Sequence, residues 1–565
     1  MPKKTNVRLF LIAVALLLAL PSYSQKKSKD RSKEAPPTTL NTTPKLMVGI
    51  VVDQMRYDYL TRFWDHYGNG GFKRLVEEGF NCKNNHFNYA PTSTAPGHAS
   101  VFTGSAPGTH GIIGNDWYDK TSGTSVYCVS DTTYRSIGTT SNTGKMSPHR
   151  LLVTTITDEL RLHSQMRGKT ISVALKDRGA VLPGGHTANA AYWFNGRTDG
   201  NWISSSYYMN TLPKWVDDFN GSNAAAMYKK PWTALKDMNS YLQSGLDNNT
   251  YEGLFEGEAT PTFPHDLPQL WDANGKYEMI RATPYGNSLT TDFAIAALEG
   301  EQLGEDMDTD FLTVSFSSTD YVGHKYGVNS KEVQDTYMRL DADLERLLKA
   351  FDKKVGKGEY TVFLTADHGA GDVPAYLKDQ KIPAGYMTWE TIKSELDQFL
   401  EFTYGTTEII KNFSNNQYFL DHDIINNLDM ELGDVEEAIA LELIKYDGIQ
   451  EVYTARQMWL NDYAKGIPYL LQNGYNQKRS GDIFVVLTTG MTNYGETGST
   501  HGSPQIYDTH VPLLFFGKGI KIGGTVTRTE IPDIAPTISS LLGIAFPSGA
   551  TGTPIGEVLE TESQN

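Results

Sequence analysis

Three aspartates that each follow an apolar, strand-like run constrain this chain more than any other feature. Lys45–Val52 (KLMVGIVV) leads straight into Asp53, Phe311–Phe316 is followed by Asp320, and Tyr360–Thr365 by Asp367. Thr170–Leu175 and Val511–Phe516 (VPLLFF) are further runs of the same kind. Short runs rich in β-branched residues, without polar alternation, suit strands buried on both faces. Helix-length segments lie between and around them: Gly70–Gly79, Thr154–Met166, Leu289–Leu298, Lys331–Phe351, Asp434–Tyr446 and Asp533–Leu542. This order predicts an α/β/α sandwich around a mostly parallel central sheet. In such sheets ligands gather at the carboxyl ends of strands, which is where all three aspartates fall.

The chain has 565 residues, enough for a large core with insertions. Residues 45–560 read as a single domain with cap or crown insertions at about 117–302 and 372–493. Hydrophobic content of 39% and charged content of 21% suit a globular body rather than a disordered or membrane-embedded one. Residues 1–24 read as a secretory signal: Lys3, Lys4 and Arg8 precede an apolar run, Leu9 to Leu20, with small residues for cleavage near Ser24. That run is short for a bilayer span, and no Cys follows it to carry a lipid. Residues 25–44 are basic, then Pro/Thr-rich, and read as a disordered linker. A periplasmic or secreted protein without a membrane span after signal cleavage is expected.

The net charge is −16, and the N-terminal 45 residues are basic, so the body is more acidic still. An acidic body argues against a nucleic acid partner. It does not exclude a small anionic substrate, because a bound divalent cation can dominate the local field. Cys82 and Cys128 are the two cysteines. Export permits a disulfide, but their spacing says nothing about proximity, and two buried free thiols are the favoured reading.

Six candidate metal ligands fall in four separate segments: Asp53 in VGIVVDQMR, Asp320 and His324 in SSTDYVGH, Asp367 and His368 in LTADHG, and His501 in GSTHGS. Each motif alone is weak. A DxxxH pair on one helix turn faces one point, yet it occurs often by chance. Together the six suffice for two zinc ions with three protein ligands each, leaving open positions for water or substrate. Two such ions would clamp an in-line displacement at phosphorus.

A candidate nucleophile is Thr94, before Ala95-Pro96 in NYAPTSTAPGHASVFTGS. Proline favours the first helical turn, so Thr94 is expected as a helix N-cap, its hydroxyl at the positive end of the dipole. Thr92 and Ser93 are rival hydroxyls set further from the helix start. His98 and His110 read as structural, hydrogen-bonded histidines.

In their order and spacing, Asp53, Thr94, Asp320/His324, Asp367/His368 and His501 resemble the two-metal site of the alkaline phosphatase superfamily. The segments VVDQMRYDYL, GNDWYDK, ALKDRGAVLPGGH, STDYVGH, ADHGA, NGYNQKRSGDI and DIAPTISSLLGI resemble the PafA-type, threonine-nucleophile, Lys-x-Arg periplasmic enzymes, from about residue 45 to about 560. The resemblance implies an alkaline phosphatase that hydrolyses phosphate monoesters through a phosphothreonine at Thr94 and releases orthophosphate, itself a competitive inhibitor. Asp320, His324 and His501 would hold the zinc facing the leaving-group oxygen. Asp367, His368 and Asp53 would hold the zinc that activates Thr94. Asn115, Lys176 and Arg178 would grip the phosphoryl oxygens, with Lys176 where related enzymes place magnesium, so two Zn²⁺ and no obligatory Mg²⁺ are implied. Broad small-molecule phosphomonoesters and inorganic phosphate would be the partners, with a monomeric state left open.

Three rivals share part of this pattern. A type I phosphodiesterase or nucleotide pyrophosphatase has the same nucleophile and ligands, but a diester gains less from the Lys176/Arg178 pair. A sulfatase needs a modifiable Cys or Ser followed by Arg, which Thr94-Ala-Pro96-Gly-His98 lacks. A non-catalytic zinc-binding protein would not need Thr94, Asn115, Lys176 and Arg178.

Overall fold

The computed structural model describes residues 43–560. The signal reading of residues 1–24 lies outside them, as does the linker reading of residues 25–44 except for its last two residues. The core is a ten-stranded sheet. In chain order its strands are β1 (Leu46–Val52), β2 (Phe80–Cys82), β3 (Ser136–Ile137), β4 (Thr170–Ala174), β5 (Ala190–Asn195), β6 (Asn201–Ser205), β7 (Asp310–Phe316), β8 (Tyr360–Thr365), β9 (Leu513–Gly517) and β10 (Gly523–Thr525). They lie side by side as β10-β2-β9-β8-β1-β7-β4-β5-β6-β3.

β1 sits at the centre with every residue buried, as its unbroken apolar run demands. β8 and β7 flank it in parallel, and β4 and β5 continue the parallel block. The chain therefore leaves β8, β1, β7 and β4 at one edge of the sheet, the edge expected to hold ligands. β9 was expected as one more strand of the same kind; it runs antiparallel to β8. An apolar run states burial, not direction, so the sequence could not distinguish the two.

Helices cover the sheet. α1 (Thr94–Thr103) is buried at every position, the mark of a helix packed on all sides. α2 (Asp177–Gly184) follows β4, α3 is Tyr285–Gly300, and α4 (Ser318–Tyr326) follows β7. α5 (Lys331–Phe351) has the bounds read from the sequence, because Ser330 caps it through the Val333 N–H and an apolar stripe from Val333 to Phe351 faces the core.

The span 117–302 was read as an insertion over the sheet. It instead supplies β3, β4, β5 and β6, so much of it is the sheet. Of these, β4 was legible as the apolar run Thr170–Leu175, while Gly-, Ser- and Asn-rich turns hid the others. The span 372–493, read as a crown, carries its own four-stranded antiparallel sheet: Ile410–Ser414, Gln417–Leu420, Ile449–Thr454 and Ile483–Leu487. Helices Trp389–Tyr404 and Leu432–Leu443 supply a separate apolar core beside it, through Ile392, Leu396, Leu400, Ile439 and Leu443. Cys82 and Cys128 are buried, free thiols. Among the described residues no helix is long and apolar enough to cross a membrane.

One glycine fixes how close α1 lies to β8. A Cβ at Gly97 would collide with the carbonyl oxygen of Asp367, just past β8. Gly97→Ala should therefore force the two apart and lower the unfolding free energy by about 1–3 kcal/mol, the usual cost of overpacking a tight interior. Urea denaturation of the variant against wild type measures this.

Candidate active site

The candidate side chains converge at the common end of β8, β1, β7 and β4. Asp53 ends β1; its N–H bonds the Phe316 carbonyl (3.0 Å), and Thr319 Oγ1 donates to the Asp53 carbonyl, locking the β1 and β7 termini together. α4 carries Asp320 and His324 on one face, one turn apart. Asp367 and His368 follow β8, and Lys176 follows β4.

Lys176 is the hub. Its buried ammonium lies 2.6 Å from Asp53 Oδ2, 2.6 Å from Asp320 Oδ2 and 3.4 Å from Thr94 Oγ1. Asp320 Oδ1 lies 3.1 Å from His324 Nε2 and 3.7 Å from His501 Nε2. Asp53 Oδ1 lies 3.4 Å from His368 Nε2. Two groups thus have the spacing to hold a metal ion: Asp320, His324 and His501, and Asp53, Asp320 and His368. The first is the triplet expected from the sequence. In the second, Asp320 stands where Asp367 was expected. Lys176 draws Asp53 and Asp320 together, whereas Asp367 is turned toward the Gln54 N–H (3.1 Å) and His98 Nδ1 (3.3 Å), with Oδ2 3.7 Å from His368 Nε2.

The three candidate histidines are oriented alike. Each Nδ1 bonds a backbone carbonyl: His324 that of Ser499 (2.8 Å), His368 that of Gly369 (2.9 Å) and His501 that of Thr92 (2.8 Å). A carbonyl accepts only, so Nδ1 carries the proton and Nε2 presents its lone pair to the cluster, the arrangement that orients metal-bound imidazole.

The charge balance favours cations. Burial, followed by Asp367 and Asp320, pushes the Asp53 carboxyl well above its ordinary pKa, and Lys176 offsets this only in part. Burial also opposes ionisation of Asp320, but His324 and Lys176 outweigh it and hold Asp320 well below the usual carboxylate range. Burial, with His368 and His324 beside it, keeps His501 neutral. Burial likewise lowers His368, against the pull of Asp367. Against the burial that disfavours its charge, Asp320 and Asp53 hold the Lys176 ammonium above its ordinary value. Three buried carboxylates face one ammonium, and Asp53 Oδ1, Asp367 Oδ2 and His368 Nε2 have no hydrogen-bond partner. Buried polar atoms are seldom left so; this donor set fits metal ions, and metal cofactors follow for a site of this kind.

Thr94 is buried and is the first residue of α1. The expected cap position belongs instead to Ser93, which is extended and makes no side-chain cap; Pro96 admits either register. Asn115 Oδ1 accepts the Ala95 N–H (2.9 Å), tying it to the start of α1. Arg178 is half-buried, and its Nη1 donates to Tyr127 Oη (3.1 Å), which donates to Asp177 Oδ1 (2.5 Å). Against burial, Tyr127, Tyr321 and Asp177 hold the guanidinium charged.

Sequence reasoning missed Gln54. Its backbone is left-handed (φ 63°), uncommon for a residue with a side chain and a mark of functional constraint. The twist lets its N–H reach Asp367 while its amide donates to Asp320 Oδ1 (2.7 Å). Gly323 makes room: a Cβ there would collide with the Gln54 amide. No local pattern announces such a residue. His98, read as structural, bonds the Thr94 carbonyl (2.9 Å) and Ser315 Oγ (2.9 Å) and so also positions the site.

Comparison with known proteins follows the same lines. The family model described as type I phosphodiesterase / nucleotide pyrophosphatase matches residues 47–511. Alkaline phosphatase PafA of Elizabethkingia meningoseptica is 47% identical over 520 residues, covering 91% of this chain and 94% of that protein. Alkaline phosphatase PhoV of Synechococcus elongatus is 44% identical over 558 residues, covering 98% and 100%. The crystal structure of wild-type PafA superposes with a TM-score of 0.88 at 47% identity, over 92% of this chain and 99% of that one.

Asp53 yields a test with opposite signs. Its raised pKa means that, above the ordinary carboxylate range, its charge destabilises the metal-free protein. At pH 8, Asp53→Asn should raise the melting temperature of chelator-treated protein. In metal-replete buffer the same substitution should lower it, because bound metal stabilises only the folded state. Differential scanning calorimetry in both buffers reads the two signs.

Proposed function

The chain belongs to the alkaline phosphatase superfamily and is a phosphate monoester hydrolase, and from that premise we propose that Thr94 is its nucleophile and carries a covalent phosphothreonine. The carrying observation is the Lys176 ammonium, which touches Thr94 Oγ1 and both metal-ligand groups at once. Nucleophile, phosphate grip and metal ligands therefore share one point.

Thr94 attacks phosphorus as an alkoxide, its proton given up to water. The forming Oγ–P bond replaces the ester O–P bond, and the alcohol leaves on the opposite side. Water then attacks the phosphothreonine in line, Oγ–P breaks, and orthophosphate is released. Lys176 and the N-terminus of α1 favour the Thr94 alkoxide by charge and dipole. Asn115, its oxygen committed to the Ala95 N–H, offers its amide N–H to a phosphoryl oxygen. Arg178, braced by Tyr127 and Asp177, offers its planar fork to the others. Bound metal supplies Lewis acidity that lowers the pKa of coordinated hydroxyl or water and offsets charge on the leaving oxygen. Around a loose transition state, positioning and electrostatics carry most of the rate.

Two zinc ions are the proposed cofactors: Asp320, His324 and His501 would hold one, and Asp53 and His368 the other, with Asp367, whose Oδ2 lies 3.7 Å from His368 Nε2, as its third ligand in place of the shared Asp320. Three imidazoles among six donors suit zinc better than magnesium or calcium, which prefer all-oxygen sites. Lys176 supplies positive charge at the position where a third ion would otherwise sit, so no obligatory magnesium is expected. The N-terminal sequence supports a periplasmic or secreted location. Phosphodiesterase chemistry is the second reading, favoured by the family description; Lys176 and Arg178 weigh against it, because a diester offers one fewer anionic oxygen.

Thr94→Ala should cut kcat/KM for 4-nitrophenyl phosphate by about a thousandfold or more without changing metal content, and acid-quenched phosphate labelling of the protein should vanish. Arg178→Ala should cost monoester hydrolysis about 1.5–3 kcal/mol of transition-state stabilisation, the scale of a charged hydrogen bond. A methyl diester should lose less, as parallel kcat/KM measurements would read.

A further inference from the structure

Two cavities of similar size flank the site and differ in charge. One, about 440 Å³, lies on the Lys176 and Arg178 side and is also lined by Arg197 and Arg281, against Asp177 and Glu278. The other, about 460 Å³, opens beside Ser93, Thr500 and His501 and reaches under the crown. No Lys or Arg lines this second cavity. Its far wall is apolar, with Leu377, Ile382, Leu487 and Met491, and crown amides such as Asn415 and Gln417 stand among them. Its two acidic residues are already committed. Asp372 pairs with Arg56 (3.5 Å) and accepts from Asn329 (2.6 Å), and Asp508 accepts from the Ser503 N–H (2.7 Å) and Oγ (2.6 Å).

Phosphorus in a monoester has a charged end and an organic end. The charged oxygens face Lys176 and Arg178, so the ester group must point elsewhere, and the cavity beside His501 is open to it. We infer that the crown-lined cavity seats the ester group, and that it selects uncharged aryl or alkyl groups over esters bearing a second anion. The volume suits an aromatic ester. Away from His501, a second anion there would be taken from water into a space whose walls carry no Lys or Arg. The inference rests on the proposed phosphate grip, and it makes the crown the part of the molecule that chooses among phosphomonoesters.

The test compares phenyl phosphate, 4-carboxyphenyl phosphate and methyl phosphate, the last having no group long enough to reach the crown. In wild type, kcat/KM normalised to methyl phosphate should favour phenyl over 4-carboxyphenyl. Ile382→Lys, at a position already 50% exposed on the crown side, and Met491→Lys should each raise the normalised 4-carboxyphenyl to phenyl ratio by about fivefold to tenfold, the effect of one added charge a few ångströms away in a half-wet cavity. Calorimetric binding of phenylphosphonate and 4-carboxyphenylphosphonate should shift in the same sense. Unchanged ratios in both variants, with circular dichroism showing a native fold, would overturn the inference. Failure of the underlying site reading looks different: orthophosphate would not compete with any of the three substrates, and the inference would fall with it.

Discussion

The Lys176 ammonium, 2.6 Å from two aspartates at the ends of neighbouring strands, is the contact on which the rest of the site depends. A lysine so buried is costly unless paired, and aspartates so buried are costly unless countered. Placing β4 beside β7 and β7 beside β1 brings the three charges to one spot, so the strand order and the electrostatics require each other. One ammonium cannot neutralise Asp53, Asp320 and Asp367 together. The residual negative charge, with three imidazole Nε2 atoms aimed inward, is what turns a sheet edge into a place for divalent cations.

Much of this was legible in the chain because burial on both faces leaves a continuous apolar run. β1 and β8 announced themselves that way, and Asp53 and Asp367 were found by being next to them. α5 was legible to the residue because a cap and a helical stripe agree. The direction of β9 was not legible, since antiparallel and parallel buried strands carry the same residues. β5 and β6 were hidden for another reason: their flanking turns are rich in Gly, Asn and Ser, and the whole span resembled loop. At the site, residue types that bind metal stood out. Gln54 did not, because its role comes from a left-handed backbone and from space left by Gly323, a residue distant in sequence. The pairing of Asp320 with His368 was equally invisible, as it depends on where Lys176 reaches.

Positions that bind no metal divide the labour around the ligands. His98, Gln54 and three backbone carbonyls set the angles of the Asp and His side chains. Asn115, Tyr127 and Asp177 fix groups on the phosphate side. The site is thereby rigid on its sheet side, where parallel strands end, and built from loops and the crown on the other.

The crown's separate apolar core gives that asymmetry a counterpart in packing. Native proteins open in cooperative pieces, each with its own free energy, and a piece with its own core can loosen without the remainder. Helices Trp389–Tyr404 and Leu432–Leu443 pack on the crown sheet, and none of the residues in that cluster belongs to the core around β1. The crown is thus held by its own apolar packing and joined to the body by polar ties such as Asn415 to the Asp116 carbonyl and Asn473 to the Asn88 carbonyl, while the charges at the strand ends rest on the packing around β1.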